Sequence, residues 1–320
     1  MPHASPHAVE TVLNFHGGQK SFYAGTVGDK RRAHVPIPTT IVDIRGHESD
    51  FSLDKQGFQF VNHGTEVKGE QFEDEEIVKG VCYQECEELV MERTGASRVV
   101  PISYIVRRQN WDAVEEMEKG MGDLERTVAP VNARYVHVDQ SPAGARNRMN
   151  DFMKGEAAQL SRSRWAIINV WRPIQVIKRD ALTMCDVRSL PEPSLAETMM
   201  LFRSDPKAGV EAPTEDDDSE DLPTQYDNNA TKSLADRAYS VNMDNAAYEV
   251  LPPSTNDKYK WYYASEMNPD EALMLKIYDS TMKEGVAKRC AHSSFQCKED
   301  EGPARQSLEV RCLVFWEGEE

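Results

Sequence analysis

The chain has 320 residues, enough for one large domain or two small ones around a buried core. Hydrophobic residues make up 39% and charged residues 28%, and no apolar run approaches the roughly 20 residues a membrane helix needs, which is the balance of a globular, water-soluble chain. The net charge of −17 argues against nucleic acid or an anionic membrane surface as partner, because both require clustered Lys and Arg.

The N-terminal residues Met1 to Glu10 read as frayed, and no basic stretch followed by an apolar one marks a secretory signal there. The six cysteines form no C-x-x-C pair and are expected as reduced thiols in the cytoplasm. Residues 11–70 are mixed, with strand-like pieces at 40–44 and 58–61. Residues 73–93 place Ile77, Val81, Leu89 and Val90 near one helical face, and Gly95 is a natural stop. Residues 98–107 are β-branched and strand-like, with Pro101 pointing to an edge or a bulge. Residues 134–139 form a strand, and Ser141-Pro142 caps a helix running to Met153. Residues 165–172 are a further strand ended by Pro173. The acidic stretch near 205–237, which contains Glu215 to Asp221, reads as an insertion, because strand patterns resume at 258–264, 272–278 and 307–316. Early helices and many short strands give an α+β chain with a β-sandwich or barrel core.

Of eight histidines, only His137 lies in an H-x-D pattern. On a strand, His137 and Asp139 project to the same side while Val136 and Val138 project to the other. Downstream, His292 is the one histidine left to complete a set of two imidazoles and a carboxylate. Such a set on Fe(II) leaves three positions open, enough for a chelating oxo acid and O2, whereas tetrahedral zinc sites leave one. The triplet alone is equally that of a strand histidine hydrogen-bonded in a core. Thirteen residues after His292, the alternation of 305–311 puts Arg305, Ser307, Glu309 and Arg311 on one face. Arg305 with Ser307 could clamp the distal carboxylate of 2-oxoglutarate, and an edge strand with a solvated charged face is the alternative.

Several segments resemble the AsaB/CmcJ-like hydroxylase/desaturase family, which includes the fungal gibberellin desaturase. The matching residues are His137-Val-Asp139-Gln140-Ser141, Asn169-Val-Trp171-Arg172-Pro173, Lys260-Trp-Tyr-Tyr263, Ala291-His292-Ser293-Ser294-Phe295 and Arg305-Gln-Ser307-Leu-Glu309-Val-Arg311, in that order along the chain. The chain is expected to form one catalytic domain over residues 1–320. The resemblance runs from about residue 40 to 316 and implies a double-stranded β-helix (jelly-roll or cupin-like) core with flanking helices. It also implies Fe(II), 2-oxoglutarate and O2, and the oxidation of a small molecule in secondary metabolism. Carried onto this chain, it makes His137, Asp139 and His292 the metal ligands and Arg305 with Ser307 the co-substrate clamp. Arg311 becomes a second carboxylate partner or part of the strand's polar face. Asn169 and Trp171 become pocket residues, with Arg172 touching a carboxylate or bridging to an acid. Spare cations such as Arg107, Arg108 and Arg172 would suit a carboxylate-bearing substrate, an amino acid or a terpenoid. Two other readings stay open at this level: an iron enzyme that does not consume 2-oxoglutarate, and a non-catalytic binding protein.

Overall fold

The computed structural model describes residues 7–190, 195–201, 246–250 (as backbone) and 258–319; the acidic stretch near 205–237 lies outside the described residues. The strands are β1 (Ala8–His16), β2 (Ser21–Tyr23), β3 (His34–Asp43), β4 (Phe58–Asn62), β5 (Arg98–Arg107), β6 (His137–Val138), β7 (Arg164–Pro173), β8 (Leu182–Cys185), β9 (Ala196–Leu201), β10 (Ala246–Val250), β11 (Trp261–Tyr263), β12 (Glu271–Asp279), β13 (His292–Ser294) and β14 (Ser307–Trp316). Among the described residues they form two sheets. One runs β1-β3-β11-β8-β13-β6-β10-β9-β2, and the other β4-β12-β7-β14-β5. Non-consecutive strands lie side by side in both, as in a double-stranded β-helix.

Strand alternation builds two cores from the smaller sheet. On β7, Ala166, Ile168 and Val170 face outward with Leu308, Val310 and Cys312 of β14, and the helix Tyr83–Thr94 covers them with Cys86, Leu89 and Val90. The intervening Ile167 and Trp171 face inward with Leu273, Leu275 and Leu313. The expected helix over 73–93 is interrupted by a π turn at Val78–Cys82. The extra residue in that turn lets Val78, Cys82 and Cys86 all meet the sheet, each 0% exposed. Gly95 ends the helix in the left-handed region at φ 68°.

β5 is an edge strand, and its register against β14 shifts where Pro101 meets Cys312, so Pro101 supplies both an edge and a bulge. Two expectations about extent change. The segment expected to be frayed becomes a strand from Ala8, because β1 pairs with β3 from Ala8↔Val42 to His16↔His34. The strand expected over 134–139 is reduced to His137–Val138, its flanks being tied by single contacts such as Val136 N–H to the Asn14 carbonyl at 2.8 Å. All six cysteines are free. No helix among the described residues is long and apolar enough to cross a membrane.

Candidate metal centre and co-substrate pocket

β6 and β13 are neighbours, and their pairing sets His137 directly opposite His292. Asp139 follows two residues after His137, on the same side. The three side chains offer ligand atoms that all lie within 4.8 Å of one another. Asp139 Oδ1 is 3.4 Å from His137 Nε2 and 3.9 Å from His292 Nε2. Each imidazole is oriented by its other nitrogen, Nδ1–H donating to a carbonyl two residues back: Tyr135 at 2.8 Å for His137, Cys290 at 3.1 Å for His292. That fixes the tautomer and turns both Nε2 lone pairs towards Asp139. Burial, then the neighbouring His137, pushes His292 down to about 4, so this imidazole is neutral and fit to ligate.

The second oxygen of Asp139 is held from the opposite sheet. Asn169 on β7 and Arg311 on β14 are cross-strand partners. Asn169 Nδ2 donates to Asp139 Oδ2 at 2.7 Å, and Arg311 Nη2 donates to the same oxygen at 2.6 Å. Burial opposes ionisation of Asp139, but Arg311 chiefly holds it well below the usual carboxylate range. The arrangement leaves Oδ1 facing the imidazoles. Two neutral nitrogens and one carboxylate oxygen, with no cysteine among them, form a donor set that fits Fe(II). Asn169→Ala is expected to weaken metal affinity roughly 10- to 100-fold while leaving the three ligands in place, measurable by anaerobic Fe(II) titration.

Arg305 and Ser307 lie on the same inward face as Trp171. Arg305 is 2% exposed, and its guanidinium carbon is 5.5 Å from the Trp171 ring centroid. Its Nη1 donates to the Asp180 carbonyl at 2.6 Å and to Ser294 Oγ at 3.3 Å. Arg305 Nε, Ser307 Oγ and Trp171 Nε1 are all buried without a partner. Three orphaned donors on one buried face form a set that lacks an acceptor, the kind of set a carboxylate can satisfy. Burial, then Arg107, pushes Arg305 down to about 9, which still leaves it cationic at neutral pH.

The remaining sequence-derived sites separate. Arg311 is engaged with Asp139 rather than with the Arg305 pocket. Arg172 is not at the site. It neighbours Trp171 on a strand, so it projects to the opposite face, where Nη1 donates to the His63 carbonyl at 3.0 Å and Nη2 to His63 Nδ1 at 3.2 Å. Arg172→Ala should therefore lower stability by about 2–4 kcal/mol through lost packing and buried hydrogen bonds, without changing the 2-oxoglutarate KM. Denaturant melts and co-substrate titration separate the two effects.

The structure adds residues that no pattern in the chain announced. The Tyr135 ring lies 4.8 Å from that of His137 and is sandwiched by His34 at 5.5 Å and the Arg32 guanidinium at 4.3 Å, so the N-terminal strands buttress a ligand. Asp180, at φ 50°, joins the two halves of the site: its carboxylate accepts from Arg134 at 2.8 Å and its carbonyl from Arg305. Arg148, on the helix Pro142–Met153, is 2% exposed with Nε and Nη2 unpartnered. Glu309 also faces inward, its carboxyl pushed up by burial and by Asp139.

Comparison with known proteins agrees with this geometry. The sequence matches the family described as an oxidoreductase/YMDC permease-like domain over residues 15–218 and 225–315. It is 39% identical to the hydroxylase/desaturase efuI of Hormonema carpetanum, covering 98% of this chain and 96% of the relative. It is 36% identical to the hydroxylase/desaturase CTB9 of Cercospora beticola, covering 95% and 84%. The α-ketoglutarate-dependent dioxygenase tstK of Talaromyces stipitatus is 27% identical over 99% of this chain and all of its own length. Among solved structures, the iron and α-ketoglutarate-dependent endoperoxidase NvfI superposes with a TM-score of 0.68 at 24% identity, covering 97% of each chain. The fold is that of this solved endoperoxidase, and His137, Asp139 and His292 form a donor set of the kind that holds Fe(II). The chain belongs to the hydroxylase/desaturase family of oxidoreductases.

Proposed function

We propose that the whole chain works as one catalytic unit that oxidises an unactivated C–H bond of a small molecule in fungal-type secondary metabolism, by hydroxylation, desaturation or oxidative cyclisation. His137, Asp139 and His292 hold Fe(II), and Arg305 with Ser307 holds the distal carboxylate of 2-oxoglutarate. The observation that carries this reading is the pairing of a converged His-Asp-His set with a buried set of donors that lack an acceptor.

When bound, Fe(II) with 2-oxoglutarate and O2 supplies an oxidant strong enough to take hydrogen from carbon, the oxo acid leaving as succinate and CO2. The rest is the work of this chain. Tyr135 and Cys290 carbonyls orient the imidazoles, and Asn169 with Arg311 turns one carboxylate oxygen inward. Arg305 fixes the co-substrate by a charge-assisted bond, and Trp171 walls the pocket against water. The free thiols suit a reducing compartment, and we assign the enzyme to the cytoplasm.

The test is aerobic incubation with Fe(II), ascorbate and 2-oxoglutarate. Succinate is expected from the iron-loaded protein, at a rate that rises when a substrate is present, and none after chelation. Oxygen uptake without succinate would instead indicate an iron enzyme that spends O2 on its substrate alone, and saturable metal binding without any turnover would indicate a binding protein.

A further inference from the structure

Beside the metal centre, on the flank of Tyr135, lies a small cleft that is open to solvent on one side. Asp29, Lys30, Arg107, Trp111, Asn132 and Tyr135 are among its walls. Two of its charges are already answered. Asp29 is paired with Arg32 at 3.0 Å and accepts from the Gly25 N–H at 3.3 Å. Lys30 is ion-paired with Glu118 and donates to Thr127 Oγ1 at 3.2 Å.

Arg107 is different. Its Nε donates to the Val131 carbonyl at 3.1 Å, but among the described residues its two terminal nitrogens have no acceptor, and no carboxylate lies within ion-pair distance. The cleft therefore carries a guanidinium with free terminal donors, whose charge is felt by the buried Glu309 carboxyl but is not paired with it. Asn132 adds a second vacancy of the opposite kind. It is 1% exposed, and both Nδ2 and Oδ1 are buried without a partner. A buried amide left this way is unfavourable, and a ligand with matching groups satisfies it.

Both residues line the same cleft, and their chemistries are complementary. The Arg107 fork and the Asn132 N–H are donors for a carboxylate, while Asn132 Oδ1 needs a donor from an adjacent atom. Trp111, Tyr135 and the Ala129-Pro130-Val131 backbone turn supply apolar walls for the body of the molecule. Tyr135 links the cleft to the reaction centre, because its carbonyl orients His137 and its ring lies against the imidazole.

We infer that this cleft is the substrate-carboxylate subsite, with Arg107 and Asn132 as its receptors, and that the substrate is an organic acid carrying a hydroxyl or N–H donor close to the carboxylate. The inference rests on the assignment of 2-oxoglutarate to Arg305 made above. Arg107 is the cross-strand partner of Ser307, so the two anion subsites adjoin and their occupants must be told apart by experiment.

The probe is tropate, a hydroxy acid with a phenyl body, compared with its methyl ester and with 2-phenylpropionate, which lacks the hydroxyl. Each is titrated anaerobically by ligand-observed NMR into the full-length protein loaded with Fe(II) and 2-oxoglutarate, while the visible absorption of the iron–2-oxoglutarate chelate is followed in the same sample. Wild-type protein is expected to bind tropate roughly tenfold or more tightly than the ester. Arg107→Gln should bring tropate down to the ester's affinity, and Arg107→Lys should retain much of the preference for the acid. Asn132→Leu should erase the advantage of tropate over 2-phenylpropionate. The chelate absorption should persist in all three variants, which also shows that they are folded. Equal affinity for acid and ester, or no binding of tropate, in a protein that forms the chelate overturns the cleft assignment alone. Loss of the chelate in Arg107→Gln with tropate binding intact gives Arg107 to the co-substrate and overturns it too. Absence of the chelate from wild-type protein is a failure of the underlying functional reading.

Discussion

His292→Ala abolishes stoichiometric Fe(II) binding and lowers 2-oxoglutarate turnover by at least about a thousandfold, some 4 kcal/mol in the barrier. The reason is geometric. His292 reaches the site because β13 lies beside β6, and the pairing that sets it opposite His137 leaves no other imidazole in reach. The useful contrast is with Asp139→Ala, which should be equally inactive for a different combination of reasons. In the metal-free protein His292 is a buried neutral imidazole that donates to the Cys290 carbonyl and lies against His137 and Asp139, so its removal costs a buried side chain and one hydrogen bond but leaves no charge unpaired. Asp139 is the acceptor for both Asn169 and Arg311, so its removal takes the closest carboxylate from a guanidinium that keeps only the more distant Glu309, and should cost about 3 kcal/mol even before metal is added. Mn(II) under anaerobic conditions should raise the Tm of wild-type protein, by mass action on the native state, and leave both variants unmoved. A His292→Ala protein that still shows saturable 1:1 metal binding would remove His292 from the ligand set.

What the chain revealed in advance follows from which interactions are local. β14 and the helix Pro142–Met153 begin and end where the pattern places them, because alternation and a Ser-Pro cap are properties of consecutive residues; Ser141 Oγ accepts from Gly144 N–H at 3.1 Å. Alternation also placed Arg305, Ser307, Glu309 and Arg311 on one face. It could not say which of them meets Asp139, since that depends on Arg311 lying across from Asn169, a pairing between strands more than a hundred residues apart. Arg172 shows the opposite case. Its neighbour Trp171 points inward, so strand parity sends Arg172 outward to His63, and the signal was present in the two adjacent letters. β1 was partly legible, since Val9, Leu13 and Phe15 alternate into the core, but its full extent depends on pairing with β3. Asn132 carries no sequence signal at all. It stands in an irregular segment between β5 and β6, and only its burial without partners makes it visible.

Arg305→Ala raises the 2-oxoglutarate KM by roughly thirty- to a thousandfold, about 2–4 kcal/mol, because the co-substrate carboxylate loses its charged partner in a buried pocket. Arg305 also donates to the Asp180 carbonyl and to Ser294, so a purely structural role has to be separated from a binding one. Three comparisons do that. Arg305→Lys keeps the charge and loses the planar fork, and should fall between wild type and alanine. Ser307→Ala removes one orphaned donor and should raise KM only about fivefold, near 1 kcal/mol. Fe(II) affinity should be the same in all of them, since no ligand or ligand-holding group touches Arg305. A structural collapse would instead depress metal binding and co-substrate binding together. If Arg305→Ala binds 2-oxoglutarate as the wild type does, the clamp has to be sought elsewhere. The next candidate is then Arg148, a buried guanidinium with Nε and Nη2 unpartnered, which lies in the field of Arg311 and Asp139. Arg148→Met would carry the KM effect in that event and leave it unchanged otherwise, so the two arginines discriminate where in the barrel the oxo acid extends from the metal.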